Sequence, residues 1–292
     1  MSLEPRSSQG TFTLSDAFAG IGQGDFSHRV LISFSDLDRA KLRGFESSFP
    51  ELEESNRARL IQALAELNEL SIEYDFNRVF RAALNDPSDI VRQRSVAALW
   101  ASDESELVEL FSGLLADESI DVRAEAASAL GRFAALCETD ELPAETSDEL
   151  YARLKELAIS QTEPSIVCRR ALESLGNFAS RVEVRDIIER AYEDEDQTIR
   201  AGALFAMGRT MDARWFDVLM QELISHDPEL RYEAARALGL IGDTRAVEGL
   251  ARLASDEDGE VRIAAIASIG AIGSPGSERV LRRLAERSRM AS

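Results

Sequence analysis

Histidine, lysine, cysteine and tryptophan are nearly missing from this chain of 292 residues, with two of each. His28 and His226 stand far apart, which leaves no histidine pair for a metal centre and no partner for a nucleophilic triad. Cys137 and Cys168 have no metal-like spacing, which excludes a zinc site of the usual kind and a disulfide scaffold. No run of 18 apolar residues exists, so no transmembrane helix is expected. Met1 to Gly10 lacks the charged start and apolar core of a signal peptide, and a cytoplasmic protein is expected. Aromatic residues make up only 7%, whereas alanine and leucine are abundant, a bias that suits closely packed helices.

Charge of one sign is also scarce. Against 53 acidic residues stand 33 basic ones, for a net charge of −20, and the only lysines are Lys41 and Lys155. So acidic a chain repels phosphate backbones and anionic membrane surfaces, so neither nucleic acid nor membrane is expected as a partner. The arginine bias fits a GC-rich genome better than salt adaptation.

What is present is a repeat. An apolar residue is followed by arginine, then small apolar residues, then leucine and glycine. The clearest copies run Leu230, Arg231, Ala234, Ala237, Leu238, Gly239 and Val261, Arg262, Ala265, Ser268, Ile269, Gly270. Marker positions fall at 92, 123, 168, 200, 231 and 262, with Cys168 in place of arginine once. The spacings are 31, 45, 32, 31 and 31, so the long gap is one repeat plus about 14 residues, assigned to the polar stretch Cys137 to Asp148. A degenerate copy covers Arg57 to Leu67, making about seven repeats.

Each repeat reads as two helices. Acidic or proline-containing turns such as Asp86–Pro87, Asp194–Glu195 and Asp227–Pro228 supply start signals. Gly131, Gly176, Gly208, Gly239 and Gly270 suit helix C-caps. Small residues three and six places after the marker, with the flanking apolar residues, form one helical stripe that a single hairpin cannot bury alone. Stacked hairpins bury it. The expected fold is all-α, an α-α superhelix (solenoid) of about seven helical hairpins.

Leu230–Leu250 and Val261–Gly270 resemble the HEAT-like repeat named after phycobilisome lyases, and the resemblance spans residues 85–287. It implies a HEAT-repeat solenoid whose marker helices line the concave face. The family includes scaffolds, lyase-type chaperones and a hydroxylase. The hydroxylases place His-Glu pairs just after the marker; the corresponding pairs here, among them Gln93–Arg94, Ala124–Glu125 and Tyr232–Glu233, contain no histidine. HEAT-like DNA glycosylases need a basic channel, against which the acidic balance argues. No catalytic, cofactor-binding or metal-binding residue is therefore assigned, and the chain is read as not an enzyme.

The recurring arginines are expected to tie neighbouring repeats or to cap helix ends. Gly20, Gly22 and Gly24 lack the strand and the Lys-Ser/Thr of a phosphate loop and read as a flexible arm. On the inner ridge of the central repeats, Arg170, Glu173, Phe205, Arg209, Tyr232, Glu233 and Arg236 are expected to be exposed as a partner-binding set, because arginine and aromatic residues anchor interfaces. Inter-repeat salt bridging is the competing reading. The implied function is a protein-interaction scaffold for a polypeptide partner, an acidic or mixed-charge segment. The alternative is a lyase-like chaperone acting on a cofactor-modified client. No residue pattern sets the oligomeric state.

Residues 1–34 lack the repeat and form an N-terminal arm, irregular or capping; residues 35–288 carry the repeats with the insertion near 137–148. Val30 to Phe34 reads as a short strand or an extended apolar stretch, and a helix from Ser35–Asp36 through Ser47 follows. The arm either covers the first repeat or tethers a partner.

Overall fold

The computed structural model describes residues 12–291, with side chains described through residue 286. Every regular element among them is helical. The Ser/Gly-rich start of the arm lies outside the described residues. The chain divides into two compact units, Met1–Ser102 and Asp103–Ser292.

In the first unit α1 (Leu14–Gly22), α2 (His28–Leu31) and α3 (Arg39–Ser48) precede α4 (Glu54–Leu70), α5 (Asn77–Ala83) and α6 (Asp89–Ala98). Thr13 and Asp16 form a reciprocal cap on α1: the Thr13 N–H donates to the Asp16 carboxylate at 2.8 Å, and the Asp16 N–H donates to Thr13 Oγ1 at 3.2 Å. Val30 to Phe34 is neither strand nor extended arm; it is the end of α2 followed by a 3-10 turn, Ile32–Phe34. The reason is packing. Helical spacing brings Val30 and Phe34 to one side, where both are buried and the Phe34 ring meets Phe18 at 5.2 Å and Phe45 at 6.1 Å. The next helix starts later than expected, at Arg39, because Asp36 sits at φ 50° and Asp38 supplies the cap, accepting from the Ala40 and Lys41 N–H groups. Both α1 and α2 touch α4.

The second unit contains α7 (Glu106–Leu114), α8 (Ile120–Glu138), α9 (Ala144–Ala158), α10 (Ser165–Leu175), α11 (Val182–Tyr192), α12 (Gln197–Thr210), α13 (Phe216–Glu222), α14 (Pro228–Ile241), α15 (Val247–Leu253), α16 (Gly259–Ile272) and α17 (Pro275–Ala291). The marker helices α8, α10, α12, α14 and α16 stack in a row, each against the next. The odd-numbered helices α7 to α15 pack behind them, each on the marker helix that follows it. This is an α-α solenoid. The extra residues between markers 123 and 168 make no loop. They lengthen α8 and α9, leaving a turn at 139–143, because Phe133, Ala134 and Cys137 continue the buried stripe of α8.

The glycines that follow the apolar run do not, as a set, cap helices. Gly131, Gly208, Gly239 and Gly270 lie inside α8, α12, α14 and α16, and only Gly176 ends its helix. The left-handed caps are Met211, Gly242 and Gly273. What Gly131, Gly176, Gly208 and Gly239 provide is close approach. A Cβ on Gly176 would lie 2.9 Å from Ala206 Cα, and one on Gly208 would lie 2.7 Å from Ala237 Cα. Added at Gly131 or Gly239, it would meet Ser174 Oγ at 2.7 Å or Ser268 Oγ at 2.6 Å. Each seam thus sets a glycine eight residues after one marker against a small residue six after the next.

The marker arginines tie turns to helices. Arg231 grips Asp256 through Nε and Nη2 at 2.9 and 2.8 Å, and its Nη1 donates to the Ser225 and His226 carbonyls. Arg57 holds Asp86 in the same fork at 2.8 and 3.0 Å. Arg123 reaches Glu163 at 3.0 Å and the Asp117 and Glu118 carbonyls. In these three repeats the bonds are bidentate or charge-assisted and join successive turns; Arg200 instead donates to Glu222 at the end of α13, at 3.3 Å.

Candidate protein-binding groove

The seven residues expected on the inner ridge fall into two groups in the second unit. Arg170, Glu173 and Glu233 belong to an ion network with Arg169. Phe205, Arg209, Tyr232 and Arg236 line a groove.

The network runs from α10 to α14 over the top of α12. Arg169, 8% exposed, donates from Nε to Glu173 at 2.7 Å, from Nη1 to Glu229 at 2.5 Å and from Nη2 to Glu233 at 3.4 Å. Its stem crosses α12 at Gly202, where a Cβ would lie 2.8 Å from Arg169 Cγ. Arg170 closes on the other Glu173 oxygen at 2.7 Å. Glu173 and Glu233 are therefore buried, at 5% and 4% exposed, and the expectation that they stand exposed on the ridge is corrected: the small residues of α12 let α10 and α14 share their charges internally. Burial works against the Arg169 cation, yet the Glu173 and Glu229 carboxylates prevail and raise its pKa. Burial also pushes the Glu233 carboxyl up to about 7, with Arg236 pulling it down, Glu173 pushing it up, and smaller opposed effects from Arg169 and Glu229.

The groove lies between α12, α14 and α16 and has a volume of about 350 Å³. Of its two cations, Arg236 carries its guanidinium 5.3 Å from the Phe205 ring centre and 5.4 Å from that of Tyr232. The same guanidinium reaches Glu233 at 3.4 Å, which joins the groove to the network. Arg209 is held by Asn177, its Nε donating to Oδ1 at 2.9 Å; burial, then the neighbouring Arg236 cation, lowers its pKa. The α16 wall is apolar. Ile263 is 62% exposed and Leu240 of α14 46%, with Ala264, Ala267 and Ala271 between and Glu260 at the end. Two rings and a cation beside exposed aliphatic carbons can hold an apolar side chain and pair with a neighbouring carboxylate.

A family model described as HEAT repeats matches residues 77–160 and 216–290. The chain belongs to the HEAT-repeat family. No curated protein matches it. Among solved structures, the complex of CpcE and CpcF of phycocyanin lyase from Nostoc sp. PCC7120 is similar, with a TM-score of 0.60 and 18% identity over 98% of this chain and 99% of that one. Human deoxyhypusine hydroxylase in complex with glycerol is similar with a TM-score of 0.40 and 19% identity, over 89% and 97% of the two chains. At 18% identity the first likeness is one of fold alone. Among the described residues no helix is long and apolar enough to cross a membrane, and no cluster of histidine, cysteine, aspartate or glutamate could hold a metal ion.

The HEAT repeat also shows which groove residues the sequence reading passed over. Ile263 and Ala267 stand one and five residues after marker 262, the positions that Tyr232 and Arg236 hold after marker 231. The signal was the register itself, carried one repeat further. Arg169, the centre of the ion network, sits on the same ridge, one residue after marker 168.

Proposed function

We propose that the chain is a binding scaffold and not a catalyst, and that it takes a polypeptide segment in the α12–α14–α16 groove. The segment is acidic or mixed in charge and carries an apolar side chain. The observation that carries this reading is the Arg236 guanidinium set against Phe205 and Tyr232 beside the exposed Ile263. Aromatic and arginine anchors around an apolar centre are what concentrate binding energy in protein interfaces. The paired substitution Arg236→Ala with Ile263→Asp removes the cation between the two rings and charges the wall, while leaving Arg209 in place and Arg170 to its buried partner Glu173. Affinity capture from the native cell with the unaltered chain identifies the partner, and binding of the purified partner is then measured for both chains. A loss of about tenfold or more is expected, in line with about 1.4 kcal/mol or more from a lost anchor. Equal binding by the two chains, with unchanged melting, refutes the groove as the site.

A further inference from the structure

The marker position changes from arginine to cysteine once, at Cys168, and the surroundings keep what an arginine would need. Arg200 donates to Glu222 at 3.3 Å, whereas the Arg231 guanidinium does two things, each shared with some of the sister repeats. Its Nη1 donates to the carbonyls six and five residues upstream, Ser225 and His226, as that of Arg262 does to Asp256 and Glu257. Its other nitrogens fork onto the first acid of the next turn, Asp256, as those of Arg57 do onto Asp86.

Asp194 is the counterpart of those two aspartates. It stands six residues before the next marker, Arg200, and accepts the N–H of the residue two places on, Asp196, at 2.8 Å. Asp86 and Asp256 accept from Ser88 and Asp258 in the same way, each at 2.9 Å. On the other side the Glu163 carbonyl, five residues upstream of Cys168, receives the thiol at 3.7 Å, a weak donor where arginine would give a charged one. Between the two lies a cavity of about 470 Å³ lined by Ser160, Glu163, Cys168, Arg190, Asp194 and Asp196. Arg190 in its wall sends its Nε to the Asp186 carbonyl at 3.0 Å. Cys168 itself is 4% exposed, and burial raises its thiol pKa, so the thiol is a small wall residue.

We propose that this cavity is a socket for an arginine side chain presented by a partner polypeptide. The chain's own repeats show how the ligand binds: the fork meets the Asp194 carboxylate and the remaining N–H groups meet the Glu163 carbonyl. The net charge of −20 favours the approach of a cationic segment. The socket lies between the α9–α10 and α11–α12 turns and does not depend on the groove of α12, α14 and α16.

The probe is N-acetyl-arginine amide, titrated into the full chain and followed by backbone amide resonances, with N-acetyl-lysine amide as the comparison. Saturable shifts at residues 163, 165, 194 and 196 are expected with the arginine probe. Cys168→Ser keeps them. Cys168→Arg abolishes them, because the chain's own guanidinium fills the site. Asp194→Asn, at an exposed side chain, weakens binding at least about tenfold by removing the charged acceptor. No saturable shift, equal binding of the lysine probe, or retention of affinity in Asp194→Asn overturns the proposal. Should Cys168→Arg fail to fold, the Asp194→Asn arm still decides it.

Discussion

The glycines of the seams give a prediction in which the same substitution has opposite signs at equivalent places. Gly208 and Gly270 both stand eight residues after a marker and both lie inside a helix. At Gly208 an added Cβ would meet Ala237 Cα at 2.7 Å and Ala237 Cβ at 2.8 Å; at Gly270 it would meet nothing within 4 Å. Alanine improves an exposed helix interior by about 1 kcal/mol over glycine, so Gly270→Ala should stabilise by up to that amount. Gly208→Ala gains the same propensity term, but carbon atoms prefer about 3.5–4.0 Å, so α12 and α14 must separate by about 1 Å. The atom struck is backbone, and no rotamer change relieves it. Overpacking of this kind costs about 1–3 kcal/mol or more, and the seam also loses contact along its length. The net effect should be a loss of about 1–2 kcal/mol, which places the two variants about 2–3 kcal/mol apart.

Urea unfolding followed by helical circular dichroism measures the difference. A repeat array need not unfold in one step, so the midpoint of the second unit is compared at equal slope. Gly176→Ala, with its contact of 2.9 Å to Ala206 Cα, should side with Gly208→Ala. If Gly208→Ala and Gly270→Ala shift the midpoint in the same direction, backbone contact across the seams is not what the glycines supply.

Glu233 gives a pH prediction. Its carboxyl is raised to about 7 by burial, so the folded chain holds a proton that the unfolded chain releases near the ordinary value of 4.5. Its effect is a loss of stability as pH rises from 4.5 to about 7; Glu233→Gln should flatten that slope in melts across the window, and an unchanged slope would assign it elsewhere. Deleting residues 1–34 uncovers Phe45, whose neighbours Phe18 and Phe34 are removed, and should lower the melting temperature; unaltered melting would show that α1 and α2 do not protect the first unit.

The stack was legible because its signal is local. Marker, small residues and glycine recur within ten residues, and the spacing of 31 repeats them in register. The role of the glycines was less so. A glycine after Leu238 looks like the end of a helix, and only a second glycine at Gly242, in the left-handed conformation, shows that the helix runs on. The arm misled for a similar reason: Val30–Phe34 is β-branched and apolar, which suits a strand, but the aromatic packing of Phe18, Phe34 and Phe45 selects a helical turn. Burial of Glu173 and Glu233 could not be read from pattern at all. It depends on an arginine that reaches a helix two repeats away, and on the missing Cβ of Gly202 that lets it pass.

That bridge explains how one fold carries two chemistries on adjacent parts of one ridge. At the four seams between α8 and α16, backbone contact constrains the residues: Gly131, Gly176, Gly208 and Gly239 must lack a Cβ, and the residues they face, Ser174, Ala206, Ala237 and Ser268, must be small. The marker itself is committed to the turns. Positions one, two, five and nine supply most of the groove's lining, from Phe205 and Arg209 to Ile263 and Ala271. Between α10 and α14 they are filled by charges that satisfy one another, so Arg169, Glu173 and Glu233 close that stretch. One repeat further on, the equivalent places hold Phe205, Tyr232, Arg236 and Ile263, and only Arg236 has a carboxylate neighbour, the already shared Glu233. The cation is thus positioned by its own chain but not neutralised by a partner of its own. On the proposed reading, a groove built this way suits a carboxylate next to an apolar side chain, whereas the network beside it, with its charges shared internally, leaves a partner few free groups to pair with.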